Sequence, residues 1–477
     1  MAVGTTDELA EFLSGCAVSG VVRVDDASRE RLKSILIDSF AVALAALKHP
    51  AALAARRYAS GFVSGDAACA IWGTSRRVNA EVAALCNGVL LRCHDYNDLY
   101  IGQGSWGHPS DIVAALVAAA ERRRASGADL LEALAVGYDV TLALFDTLPA
   151  ASVGWDYCNL TALGAVCGLA RLLRLTQQQV REALAIAAVS HVASDEIESG
   201  DLNRRGDLTM WKRFNAGDAM RQAVYACDLA TAGAEGAVRP FEGRHGLLAK
   251  LGVGDNPLPK LRERLGELRP THLDGVMLKR WPVGSRAQAA IAAALEARGA
   301  VACVEDIAAI RVRTTDAVYA HLVRSRPAPW APISRETADH SLPYIVASAV
   351  LDGRIGTESF APSRVLDPER QAFLKKVEVT PDLDGQRQQG VGAFAAEVEI
   401  VMSDGRCAVA PAQSEMRDIR RTVEDKFAES AKDRIPSANA GAALDLLRSL
   451  ERCLDLRALV RLLAAGNDAA LDRDPED

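Results

Sequence analysis

His94-Asp95-Tyr96-Asn97-Asp98, then a glycine-rich bridge, then Gly107-His108-Pro109-Ser110-Asp111 and an alanine-rich run to Glu121 make up the stretch around which the chain is organised. It gathers three carboxylates, an asparagine and two histidines about one turn. The bridge, Ile101-Gly102-Gln103-Gly104-Ser105-Trp106-Gly107, carries too much glycine for a helix interior and reads as a loop. Pro109 or Ser110 then opens a helix, because Ile112, Ala115, Leu116 and Ala119 recur at helical spacing. An acid-bearing turn and a histidine therefore meet at a helix N-terminus, where the N–H groups and the dipole favour an anion such as a substrate carboxylate. Asp98 and Ser110 alone read as turn and cap residues; Asp95 with His108 reads as chemistry.

On either side of this stretch the apolar pattern is helical. Helices are expected over Arg29 to Leu47, Ala51 to Ser60, Asn79 to Leu91, Asp111 to Arg124, Asp129 to Leu148 and Leu160 to Leu173, then Gln177 to Val192 and Asn215 to Ala232. Gly164 and Gly168, inside one of them, mark close helix packing, and Ala70-Ile71-Trp72 reads as an extended connector. A polar insertion from Ser194 to Trp211 (Asp195, Glu196, Glu198, Asp201, Asn203, Arg204, Arg205, Asp207) interrupts the pattern as a loop that is either surface-mobile or substrate-facing. Beyond Pro257–Pro270 come β-branched, alternating, turn-bounded segments at Ile307, Val377 and Ala395, with helices Arg286 to Ala297 and Ser341 to Leu351 between them. The fold class is therefore mainly α: a large helical domain, 1–267 completed by 410–477, and a smaller α+β lid domain, 268–409, whose helices cover one face of an antiparallel sheet. The tail from Arg421 to Ala465 returns to the helical domain, and Asp472 to Asp477 is expected to fray.

The chain has 477 residues, enough for two domains and a large core. Its net charge is −7 with basic residues scattered, which excludes a nucleic-acid footprint. The ten cysteines include no C-x-x-C pair and no metal-like spacing with histidine, so they read as reduced, mostly buried thiols. Asp7, Glu8 and Glu11 occupy the place where a signal peptide needs basic and then apolar residues, and Leu36 to Leu47 is too short to span a bilayer. A cytoplasmic protein with no membrane or nucleic-acid partner is expected.

Three further clusters could do chemistry: Thr209-Met210-Trp211-Lys212-Arg213, Leu278-Lys279-Arg280-Trp281-Pro282, and Asp339-His340-Ser341-Leu342-Pro343-Tyr344. One at a time they are solvated cations and a helix cap. Together they supply what a polycarboxylate site needs: Lys and Arg to bind carboxylates and stabilise an enolate, and Asp, His, Lys or Tyr to move protons. The sequence has no dinucleotide fingerprint, P-loop, nucleophile elbow, H-E-x-x-H or iron–sulfur cysteine cluster, and no cofactor or metal is expected.

Seven segments occur in order: Asp95-Tyr-Asn-Asp98, Gly107-His-Pro-Ser-Asp111, Gly154-Trp-Asp156, Leu208-Thr-Met-Trp-Lys212, Phe241-Glu-Gly-Arg-His-Gly246, Leu278-Lys-Arg-Trp-Pro282 and Ala338-Asp-His-Ser-Leu-Pro-Tyr344. In these the chain resembles the MmgE/PrpD family of 2-methylcitrate dehydratases, with cis-aconitate decarboxylase and iminodisuccinate epimerase as cousins. Asn97 and the M-W-K motif look more like the dehydratase branch. The resemblance implies a helical domain, an α+β lid, an active site in the cleft between them, a homodimer, and cofactor-independent chemistry α to a carboxylate. Asp95, His108, Lys212, Lys279 and Tyr344 match family active-site positions. Three residues depart from the pattern: Leu99 stands for a threonine, and Tyr157 and Arg286 stand for histidines. Tyrosine is a poor base at neutral pH, with an ordinary pKa of about 10, and arginine is no base at all but can grip a carboxylate bidentately. These departures bear on the acid bound rather than on the fold.

The reading is a lyase, a dehydratase acting on a hydroxylated di- or tricarboxylate of the 2-methylcitrate type. Lys279, Arg280, Lys212 and Arg286 would bind carboxylates, with His340 beside them. Asp95 or His108 would remove the proton α to a carboxylate, and Tyr344, His108 or Tyr157 would protonate the departing hydroxyl. The same groups could serve isomerisation, epimerisation or decarboxylation, or metabolite binding without turnover. A lid that excludes water suits each catalytic reading.

Overall fold

The computed structural model describes residues 6–18, 24–62, 69–190, 193–198, 209–266, 272–383, 394–412, 419–464, 468 and 471. Asp201, Asn203, Arg204, Arg205, Asp207 and Leu208 of the polar insertion, position 268 and the segment Asp472 to Asp477 lie outside the described residues.

The first half is a stack of helices: α1 (Glu8–Val18), α2 (Asp26–Ala45), α3 (Pro50–Ala59), α4 (Ala80–Arg92), α5 (Ile112–Arg123), α6 (Gly127–Thr147), α7 (Cys158–Leu173), α8 (Gln177–Ser190) and α9 (Trp211–Thr231). The Asp25 carboxylate starts α2 by accepting the Ser28 N–H at 2.7 Å, as an N-cap should. From Arg31 to Ala45 every residue of α2 is buried, so this helix is the axis of the core rather than an amphipathic cover. Gly164 is where α6 and α7 touch: a Cβ there would lie 1.9 Å from Thr141 Oγ1. Helix α1 lies outside the helices expected from the pattern; its apolar Leu9, Leu13 and Ala17 face the core.

The smaller domain carries a four-stranded sheet in the order Val377–Thr380, Ile307–Thr314, Ala396–Met402, Cys407–Ala412. It is mixed rather than antiparallel: Val377–Thr380 runs parallel to Ile307–Thr314. The physical reason is the connection, which passes through helix Leu342–Asp352 and several single turns and so returns the chain to its starting end, as a parallel pair requires. Along Ala396–Met402 buried and half-buried residues alternate strictly, giving one face to the helix Gln288–Arg298. The fourth strand, Cys407–Ala412, was not read in advance; its Ala and Pro content hides its β character.

Two buried apolar clusters result. One spans α1 to Leu278 and takes in Val423, Phe427 and Leu447 of the tail helices Ile419–Ala431 and Ser437–Arg448. The other is built from Met277 to Ala410 together with Leu99. Among the described residues no single helix is long and apolar enough to cross a membrane, and α2 with α3 reaches that length only as a pair bent by 90°.

Candidate active site

Where the two clusters meet, helix ends converge on a cavity of about 240 Å³. Helix α4 ends at Arg92, and the turn that follows puts Asp95 in the left-handed region (φ 47°), which aspartate tolerates better than most residues. Leu99 and Met277 then exchange two backbone hydrogen bonds of 2.8 Å. That ladder carries the chain entering the lid past the turn and sets Lys279 beside Asp95. Lys279 Nζ donates to the Asp95 carboxylate at 2.8 Å and to the Asp95 carbonyl at 2.7 Å. Arg92 Nη1 donates to Asn97 Oδ1 at 2.9 Å and stands 3.5 Å from Asp95 Oδ1. Burial works against the Asp95 charge, yet Lys279, with Arg92, holds its carboxyl well below the ordinary range. A carboxylate so stabilised is a weak base.

Two histidines flank it. His108 Nδ1 faces the Asp98 carbonyl, which can only accept, so this nitrogen carries the proton and Nε2 is left as a lone pair 3.7 Å from Asp95 Oδ1. His340 Nδ1 lies 2.5 Å from the Asp339 carboxylate, and its Nε2 stands 3.9 Å from Asp95 Oδ2. Burial, then Arg92 and Lys279, lowers His108 well below its ordinary value; burial, then Lys212, lowers His340 against the pull of Asp339. Both imidazoles are therefore neutral at neutral pH, each presenting a basic nitrogen. A proton taken up by His340 would leave an imidazolium between two carboxylates, Asp339 and Asp95. On His108 it would face Asp95 only, with Arg92 and Lys279 opposing. His340 is the better-placed base, and it does not cap its helix: Ser341 does, accepting the Tyr344 N–H at 3.1 Å.

Of the residues singled out in the sequence, Asp95, His108, Tyr157, Lys212, Lys279, Arg286 and His340 line this cavity. Two do not. Tyr344 points into the lid core, fully buried, with its hydroxyl donated to the Ser359 carbonyl at 2.7 Å. Arg280 turns the other way, its guanidinium 5.0 Å above the Trp281 ring and on the wall of a second cavity. Tyr157 reaches the cavity with its ring, but its hydroxyl donates to Asp111 Oδ2 at 2.9 Å, so its proton is not available to a ligand. The ring fits because residue 107 is glycine; a Cβ there would come within 2.3 Å of Tyr157 Cδ2. The helix N-terminus at Ser110 is likewise already occupied, by the Asp98 carboxylate, which accepts the Ser110 N–H at 3.0 and 3.1 Å. Burial raises Asp98 to about 6 and Asp111 to about 7, and both lie under the cavity floor rather than in it.

Sequence reasoning missed Arg92, His321 and Arg326. Arg326 donates to His321 Nε2 at 3.1 Å, and burial with Arg286 and Arg326 lowers this histidine to about 2, so it stays neutral. Arg92 could have been found as the last residue of the helix that delivers the Asp95 turn; nothing local marks the other two. The wall thus carries the cations Arg92, Lys212, Lys279, Arg286 and Arg326 against the acids Asp95, Asp156 and Asp195. Among the described residues no three His, Cys, Asp or Glu side chains group as a metal ion would require.

Fold and cavity define a mainly α protein with a smaller α+β domain and a buried, cation-rich seam holding acid–base groups. The chain belongs to the MmgE/PrpD family: the MmgE/PrpD N-terminal domain matches residues 7–259 and the C-terminal domain residues 281–452. It is 24% identical to the cis-aconitate decarboxylase of Homo sapiens, covering 96% of this chain and 94% of that one. It is 25% identical to the 2-methylcitrate dehydratase of Cupriavidus necator, over 73% of this chain and 72% of the relative. An alkylcitrate dehydratase of Talaromyces stipitatus is 27% identical over 64% of each. At such identities the relatives support dehydratase-type chemistry at the level of the family.

Proposed function

We propose that this chain is a hydro-lyase that removes water from a hydroxylated polycarboxylate of the 2-methylcitrate type without a cofactor. The observation that carries the reading is the Asp95 carboxylate, held charged by Lys279 and faced by two neutral imidazole nitrogens at 3.7 and 3.9 Å in a cation-lined cavity. Arg92, Lys212 and Arg286 bind substrate carboxylates, and their charge stabilises the enolate that forms when the α-proton leaves. His340 Nε2 takes that proton, with Asp339 orienting the ring and Asp95 stabilising the imidazolium. His108 accepts a hydrogen bond from the substrate hydroxyl and fixes which C–O bond faces Lys279. Two of the three Lys279 donors are committed to Asp95, and the third protonates the departing hydroxide. The neutral Lys279 so formed recovers its proton from water after product leaves, and His340 releases the one it took. Tyr157 forms wall, not acid.

The test is proton exchange in D2O, followed by NMR, with 2-methylcitrate, citrate, malate and related acids. An olefinic product names the substrate and supports the dehydratase. Deuterium incorporation without elimination would replace it with an isomerase or epimerase, and release of carbon dioxide with a decarboxylase. Binding without exchange would leave a metabolite-binding homologue.

A further inference from the structure

Lys426, on the tail helix Ile419–Ala431, follows every residue of the cavity in the chain and does not line it. Its ammonium is buried, 3% exposed, and all three of its donors are spent. One goes to Asp38 Oδ1 of α2 at 2.7 Å, one to the Tyr96 carbonyl at 2.9 Å and one to the Lys279 carbonyl at 3.1 Å. The two carbonyls belong to the residue after Asp95 and to Lys279 itself. The same nitrogen lies 3.5 Å above the Tyr96 ring, whose hydroxyl donates to the Arg280 carbonyl at 2.9 Å. From α2, Arg31 also grips the segment that leads to Lys279, through the Leu273 and Val276 carbonyls.

An ion pair retained for stability alone gains little over apolar residues of the same shape, because desolvation offsets most of the attraction. What an apolar pair could not do is hold two backbone carbonyls from separate segments at a fixed distance. Burial lowers Lys426 to about 8, with Asp38 opposing, so the ammonium keeps its three donors at neutral pH. We propose that Lys426, anchored by Asp38, is a positioning residue: it clamps the Tyr96 and Lys279 carbonyls together and thereby sets the separation of Asp95 and Lys279. The proposal takes its catalytic consequence, though not its geometry, from the lyase reading above.

Asp38 and Lys426 have different jobs under this proposal, and that makes it testable. Because Asp38 opposes the lowering of Lys426, Asp38→Asn keeps the ammonium on both carbonyls only in mildly acidic buffer; compared there with wild type at the same pH, kcat should stay within about threefold, whatever happens to the melting temperature. The double variant Asp38→Leu with Lys426→Met removes the buried charges together, so its stability loss should come only from the two carbonyls left without a donor and be smaller than that of Lys426→Met alone. Its kcat should nevertheless fall about 100-fold, the scale that a misplacement of about 1 Å produces. Its affinity for an inert acid such as tricarballylate, read by calorimetry, should change much less than its kcat. In a crystal structure of the double variant the Lys279 Nζ to Asp95 Oδ1 separation should open beyond hydrogen-bonding distance. Activity that simply follows melting temperature across the variants would overturn the clamp, as would an unchanged separation. If wild type turns over no acid, the lyase reading fails and the crystallographic separation still decides the clamp.

Discussion

Lys279 Nζ lies 2.8 Å from Asp95 Oδ1 although 184 residues separate the two in sequence, so the charged centre of the cavity exists only when the helical body and the chain entering the lid are docked. The pair is nearly dry, with side-chain exposures of 1% and 9%, and breaking it leaves a buried charge uncompensated.

Asp95→Asn should therefore cost about 3–5 kcal/mol of stability, measured by urea unfolding, and abolish turnover. Asparagine tolerates the left-handed backbone at this position, so the change isolates the charge. The sign of the pH effect follows from the depressed carboxyl. The pair's contribution is complete above the unfolded value of about 3.9 and is lost as pH falls through the lower folded value. An acid-unfolding profile unchanged in the variant would sink this account.

His340 must be neutral to act as base, and burial with Lys212 places its folded pKa below the ordinary value. The plot of kcat/KM against pH should stay flat from neutral through about 6.5 and fall only below that. Asp339→Asn removes the carboxylate that raises His340, so the acid limb should move to lower pH while the plateau drops about 100-fold. A limb that stays in place would assign the base role elsewhere, with His108 first in line.

Arg286 makes no hydrogen bond or ion pair with any described residue; its guanidinium lies 5.3 Å from the Phe394 ring centre and lines the cavity. Arg286→Gln should weaken binding of tricarballylate about tenfold or more while leaving glutarate, which lacks one carboxylate, nearly unaffected. Calorimetry with these two inert acids reads the difference directly, and equal weakening of both would contradict a seat for one further carboxylate.

Tyr157→Phe and Tyr344→Phe should each retain turnover within about tenfold, because neither hydroxyl proton faces the cavity. Each should lower stability by about 1–3 kcal/mol, since Asp111 and the Ser359 carbonyl lose a buried donor. A loss of several thousandfold in either would return that tyrosine to the acid–base set.

Much of this was legible beforehand because the signals are local. Helical periodicity located α2 through α9 to within a few residues, and the Asp95 turn, His108 and Lys279 stood out by type and company. What the pattern could not carry was direction. Tyr344 and His340 are four residues apart at one helix start, yet Ser341 caps between them, so His340 precedes the helix and looks out while Tyr344 is inside it and looks in. Neighbouring Lys279 and Arg280 part in the same way, to opposite sides of one extended segment. The N-terminus at Ser110 holds an anion, but it is the Asp98 carboxylate of the chain itself and not the substrate carboxylate that the pattern suggests. His321 lies in the short helical segment Ala320–Arg324 and Arg326 in the turn just after it, and only the three-dimensional fold reveals their neighbours.

The return of the tail to the first half also sets an order of events during synthesis. Helix α2 and the Asp95 turn emerge early, but Val423, Phe427 and Lys426, which complete their packing, are translated only after the whole lid. Domains generally fold as they leave the ribosome, N-terminal parts first. Here the helical half must wait with its flank open until the last helices arrive. A chain arrested near residue 412 should present that apolar flank to chaperones and stay non-native, and release of the following segment should close body and site in one step.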